Sequence, residues 1–191
     1  MLIKLANYFA RKLVDQENET KKNIVSYAIL VLMLNLITLL MLLVVSIYGH
    51  NVRLFVTYVI FFIPLRIFAG GYHASSTGKC LFLTILFFKV IMILQDFVRF
   101  NKVMLFMIIL MNFLLIIKYA PSEAGDYCLD DVTRRRNKYI SVIIFTVDSF
   151  ICVIAYRRNS VVAIQIVLWI TYSSILLLVL HIRNIIEDYR S

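Results

Sequence analysis

His73 and Cys80 lie seven residues apart in the stretch from Arg66 to Cys80, RIFAGGYHASSTGKC. Imidazole and thiol are the pair from which a protein can make a sulfur nucleophile. A thiol attacks poorly until it ionises, and a neighbouring histidine either takes its proton or, once cationic, holds the thiolate. Gly70 and Gly71 give the backbone freedom just before the histidine. Cys80 directly precedes the apolar run Leu81 to Leu86, with Ser75, Ser76 and Thr77 upstream as candidate caps, so it is expected in the first turn of a helix. Free N–H groups and the positive dipole end favour a thiolate there, and cationic His73, Arg66 or Lys79 would add to the effect. Seven residues of straight helix rise roughly 10 Å, too far for direct contact. The chain between the two must therefore bend, which Gly78 and its polar neighbours permit. Taken alone the spacing is a weak signal, since a packing cysteine at a helix start and a loop histidine would look the same.

The elements that must position these residues are membrane helices. Of the 191 residues, 62% are apolar or aromatic, mean hydropathy is +0.87, and only two prolines and five glycines occur. Each long apolar run could cross a hydrocarbon core that takes roughly 20 helical residues, so the fold class is an all-α integral membrane protein. Five spans stand out: Ile24 to Tyr48, Leu81 to Val98, Val103 to Ile117, Tyr139 to Tyr156 and Val161 to Leu180. A sixth, from Leu54 to about Ala69, contains Pro64 and meets Arg66 early, and so reads either as a kinked crossing or as a re-entrant segment. Residues 1–22 are expected to form an N-terminal amphipathic interfacial helix, with Leu2, Leu5, Ala6, Phe9 and Leu13 on one face and Lys4, Arg11 and Lys12 among them, rather than a secretory signal. Residues 23–191 form one polytopic helical domain.

Basic residues set the orientation. With six crossings and a cytoplasmic amino terminus, fourteen Lys and Arg fall in inner segments and five in outer ones, with Lys89 inside a span. The positive-inside rule prefers this arrangement, which places both termini and the loop from His73 to Cys80 in the cytoplasm of a multi-pass cell-membrane protein. The net charge of +9 then reflects orientation and lipid head groups, not nucleic acid, because the cations flank spans instead of forming one stripe. The longest polar connection, residues 118 to 138, carries four acidic residues and then Arg134, Arg135 and Arg136. It reads as a solvated topology signal, with a docking surface for an acidic peptide as the alternative.

Three cysteines facing a reducing compartment imply free thiols. Cys152, inside a span, reads as packing, and Cys128, in a polar loop without a nearby histidine, ranks below Cys80. Lys89, Asp96 and Asp148 lie in or beside apolar runs, and a Lys89 to Asp148 ion pair is expected ahead of a proton or substrate path. His50 and His181 are expected as loop and span-end residues, because no ligand-like spacing surrounds them; no metal and no cofactor is implied. No Asp or Asn in the motif announces a third triad member.

The stretch Arg66, Gly70, Gly71, Tyr72, His73, Ala74 to Cys80 resembles the signature of the accessory gene regulator protein B (AgrB) family, membrane cysteine endopeptidases of bacterial peptide quorum sensing. Tyr119-Ala120-Pro121 followed by a basic cluster resembles a second landmark of that family, and length and hydropathy agree along essentially the whole chain. The resemblance implies that the protein cuts the carboxyl-terminal tail from a short AgrD-like precursor peptide through an acyl-thioester, with Cys80 as nucleophile and His73 as base, and helps close a thiolactone autoinducing peptide, a virulence-associated signal. Gly70 and Gly71 would shape the turn. Arg66 would hold the site loop or bind a precursor carboxylate, with a snorkelling interfacial arginine as the alternative, and Lys79 would support the site. Precursor, bilayer and a homodimer are the partners compatible with this reading. A peptide transporter and a non-catalytic membrane scaffold are the rival classes; no internal repeat or nucleotide motif favours the first.

The charge bias generates a topology test. On a background without native cysteines, Ser76→Cys and Gly125→Cys should be shielded from an impermeant thiol reagent in intact cells, while Asn51→Cys and Arg158→Cys are labelled. Labelling of Ser76→Cys from outside would refute the orientation.

Overall fold

In lipid every backbone N–H and C=O must find a partner within the protein, so long apolar runs close into helices. The computed structural model describes residues 5, 7, 8, 12, 19–70, 77–122, 130–158 and 160–188, with no β-strand among them. The helices are α1 (Glu19–Tyr48), α2 (Val52–Ala69), α3 (Thr77–Phe97), α4 (Lys102–Tyr119), α5 (Asp131–Arg158) and α6 (Ser160–Asp188). All but α3 are long and apolar enough over their described residues to cross a bilayer, and α3 itself has 21 residues. Leu5, Asn7, Tyr8 and Lys12 are helical, and Asn7 accepts a hydrogen bond from the Ser26 hydroxyl of α1. The remainder of the expected interfacial helix over residues 1–22 lies outside the described residues, except that α1 already begins at Glu19.

Polar residues mark several helix starts. Asn51 accepts from the Leu54 N–H at 3.2 Å, and Asn101 from the Met104 N–H at 2.7 Å, each relieving an N–H that has no intrahelical acceptor. The segment expected as kinked or re-entrant is an 18-residue helix, Val52–Ala69. Tyr58–Phe62 forms a π-helical turn ahead of Pro64, where the Ile63 N–H bonds back to the Tyr58 carbonyl. One wider turn thus absorbs the local disturbance, and the helix continues.

The last helix is the mast of the bundle. In α6, 61% of the apolar window is buried, against 6% in α1, so α6 is surrounded while α1 faces lipid. One side of α6, with Ala163, Ile166, Val167, Ile170 and Leu177, packs with Phe61 and Leu65 of α2, Leu105 and Ile116 of α4, and Phe145 and Cys152 of α5. Its other side, with Trp169 and Tyr172, packs with Leu42 of α1, Tyr58 and Phe62 of α2, and Phe88 of α3. Ring centroids of Tyr58 and Trp169 are 5.0 Å apart, and those of Phe62 and Tyr172 are 5.1 Å apart. Cys152 is fully buried, its sulfur 3.5 Å from the Ala163 carbonyl, and acts as a packing residue.

Hydrogen bonds lock the mast in register. Gln165 donates to the Gln95 side chain at 2.6 Å and accepts from the Thr57 hydroxyl at 3.3 Å. Thr57 accepts in turn from the Trp169 indole at 3.1 Å. This buried chain ties α2, α3 and α6 together. Asn112 of α4 donates to Thr171 of α6 at 3.2 Å. The expected Lys89 to Asp148 ion pair does not form: Lys89 is exposed on α3, whereas Asp148 is buried on α5 and its Oδ2 has no hydrogen-bond partner among the described residues. α3 and α5 each pack on α6 and share no substantial contact with each other among the described residues.

Because lipid solvates apolar surface as well as a protein core does, helix association rests on close packing together with such hydrogen bonds. Gln165→Leu should lower stability by about 1–2 kcal/mol, read as a lower midpoint in SDS titration from mild detergent. An unchanged midpoint would show that the Gln95, Gln165 and Thr57 chain does not hold these helices.

Candidate active site

At its membrane-face end α2 must release its last carbonyls and turn the chain toward His73. Gly70 ends the helix at φ 75° and ψ −148°, a region open essentially to glycine. Its N–H bonds the Arg66 carbonyl at 3.1 Å, and the Arg66 guanidinium donates to the Gly70 carbonyl. The Ala69 carbonyl, freed by the turn, accepts from the Ser122 N–H at 3.0 Å, and Gly70 and Ser122 pair as an isolated parallel bridge. A Cβ on Gly70 would lie 2.2 Å from the Ser122 carbonyl oxygen. Conformation and proximity therefore both demand glycine here.

This contact joins the two stretches singled out in the sequence, Arg66 to Gly70 and Tyr119 to Pro121. Ala120 is buried with Ala69 and Leu65 in one core cluster, and the Ala120–Pro121 peptide is cis. The Tyr119 ring lies 4.6 Å from the ring of His181 on α6, with the Lys118 ammonium 5.2 Å from the Tyr119 centroid. The ends of α2, α4 and α6 thus meet at one face of the bundle, together with the start of α5.

A cavity of about 700 Å³ opens at that face between Lys118, Tyr119, Ser122, Arg134, Arg135, Lys138 and His181. Four basic side chains in one concave site attract anionic groups. Asp130, which accepts the first backbone bond of α5 from Arg134, sits at the start of the same helix. The Thr133 side chain beside it holds its carboxyl below the usual carboxylate range.

Arg66 and Gly70 are thus placed directly. Gly71 and His73 lie outside the described residues, as does Cys128. Lys79 and Cys80 are the third and fourth residues of α3, whose side chains at these positions also lie outside the description. Gly70 and Thr77 are seven residues apart, at most about 25 Å of chain, less than the roughly 30 Å hydrocarbon core. The helix that carries Cys80 therefore cannot begin at the opposite face. Sequence reasoning missed the meeting of Gly70 with Ser122 and treated His181 only as a span-end residue. A signal was present in the polar pair His181 and Asn184, one turn apart at the end of an otherwise apolar helix.

Substituting Gly70 with alanine forces a Cβ into the Ser122 carbonyl. Gly70→Ala should cost about 2 kcal/mol or more and speed hydrogen exchange at the Ser122 amide, measured by mass spectrometry. Wild-type exchange at Ser122 would show that the contact is dispensable.

The family model described as Accessory gene regulator B matches residues 3–181 of the chain. Among curated proteins and among solved structures nothing matches.

Proposed function

The chain belongs to the accessory gene regulator B family, a family of quorum-sensing peptide processing, and from that premise we propose that it is a membrane cysteine endopeptidase acting on an AgrD-like precursor. The observation that carries the reading is the clamp between Ala69-Gly70 and Ser122. It anchors the stretch leading to His73, three residues beyond Gly70, at the face where the helix bearing Cys80 can begin. The cationic cavity beside the clamp fits acidic groups of a peptide substrate and gives the basic cluster a use beyond orientation.

In this reading Cys80 thiolate attacks the scissile carbonyl. The carbon–nitrogen bond breaks as His73 gives a proton to the departing amine, leaving the upstream peptide as a thioester on Cys80. Ionised thiol on the precursor then attacks that carbonyl, and Cys80 leaves as thiolate while a thiolactone closes. One thioester replaces another, so the exchange is near energetic balance, whereas hydrolysis runs downhill and is suppressed by keeping water from the site. Backbone amides at the start of α3 would stabilise the oxyanion in this reading. The site faces the cytoplasm in this reading, and the positive-inside bias supports it.

Cys80→Ala and His73→Ala should each abolish cutting of the co-expressed precursor while membrane insertion is unchanged, with peptide products followed by mass spectrometry. His73→Ala should also slow iodoacetamide alkylation of Cys80 near pH 7, because loss of a cationic neighbour raises the thiol pKa. Wild-type cleavage by either variant would remove the assigned mechanism.

A further inference from the structure

A second cavity lies away from the clamp, between α4 and α5 at their other ends. Its volume is about 860 Å³. α4 begins where α5 ends, so Lys102, the first residue of α4, and Arg157, next to last in α5, stand together at one mouth. The Tyr156 hydroxyl donates to the Phe100 carbonyl at 2.9 Å and ties the end of α5 to the segment that leads into α4. From the mouth the groove runs inward along Phe106 and Ile109 on one wall and Val153 and Phe150 on the other. Seven residues of either helix rise roughly 10 Å, so the apolar part reaches that far into the hydrocarbon zone.

We propose that this groove is a binding site for one anionic phospholipid, with its phosphate between Lys102 and Arg157 and the upper part of an acyl chain along Phe106, Phe150 and Val153. Charge complementarity chooses the occupant. Both cations are exposed, and neither is in an ion pair among the described residues. Phe106 and Phe150 are 62% and 67% exposed, which in a bilayer means that acyl chains cover them. An apolar trough of this length under two cations at a membrane face matches a phosphate joined to an acyl chain. A water-soluble anion would leave the trough unfilled, and a zwitterionic lipid would bring its own cation beside Lys102 and Arg157. The site is independent of the proposed peptidase chemistry, since it lies at the opposite end of α4 from Tyr119 and uses none of its residues.

The test uses the full chain, purified in mild detergent and titrated with phosphatidylglycerol or phosphatidylcholine, with bound lipid counted by native mass spectrometry. Phosphatidylglycerol should bind more tightly than phosphatidylcholine. Lys102→Gln or Arg157→Gln should each weaken it about fivefold, and the double variant about 25-fold. Val153→Trp, which fills the trough without touching a charge, should also reduce lipid retention. Equal binding of the two lipids, or an unchanged preference in the double variant, would overturn the proposal. So would competition by glycerol 3-phosphate at concentrations matching the lipid, which would indicate a free-anion site.

Discussion

One backbone hydrogen bond, from the Ser122 N–H to the Ala69 carbonyl at 3.0 Å, organises the face of the bundle where chemistry is expected. A helix ending near the membrane surface leaves carbonyls that need donors. Here the donor, Ser122, comes from 53 residues further along the chain, so the end of α2 is completed by the segment that follows α4. Gly70 allows the approach, and Arg66 secures the turn from the other side through the Gly70 carbonyl. The direction in which the chain leaves α2 toward His73 is therefore a property of the tertiary fold.

That contact can be held steadily because the helices delivering it are fixed on α6. The mast uses shape on one side, where Ala163 admits Cys152 closely, and polarity on the other, where Gln165 and Trp169 engage Thr57 and Gln95. Apolar contact alone discriminates poorly between helix registers when lipid is an equally good partner. Side-chain hydrogen bonds discriminate well, because a rotated helix would strand an amide in hydrocarbon. At its far end the same helix brings His181 against Tyr119, so the register fixed around Gln165 also sets one wall of the cationic cavity.

Hydropathy made the helices legible, including the stretch from Leu54 to Ala69, because crossing a bilayer imposes length and composition together. It left open whether that stretch crosses, since the effect of Pro64 depends on a π-helical turn that no residue type announces. Hydropathy also could not tell α1 from α6: both are apolar, yet one is bathed in lipid and the other enclosed. In water the lipid-facing side would be polar and the faces would separate by periodicity, but in a membrane that contrast fades. Partner assignment failed for the same reason. Pairing Lys89 with Asp148 requires both charges to be buried, whereas burial applies to Asp148 alone. The amides of Gln95 and Gln165, which together with Thr57 form a buried interhelical polar chain, carry no charge to mark them in an apolar run.

The basic character of the chain divides along the bundle axis. Lys118, Arg134, Arg135 and Lys138 converge on a cavity walled by a turn, an imidazole and a helix end, and its lining is polar. Lys102 and Arg157 stand over a trough of phenylalanine, isoleucine and valine, a surface that favours hydrocarbon. Cations of one type thus acquire different partners from the surface beneath them. A single count of inner and outer charges treats them as equivalent topology signals, yet the two groups face different chemistry. α4 and α5 hold the two cavities at opposite ends of one helix pair, so a change in either group of cations leaves the surroundings of the other in place.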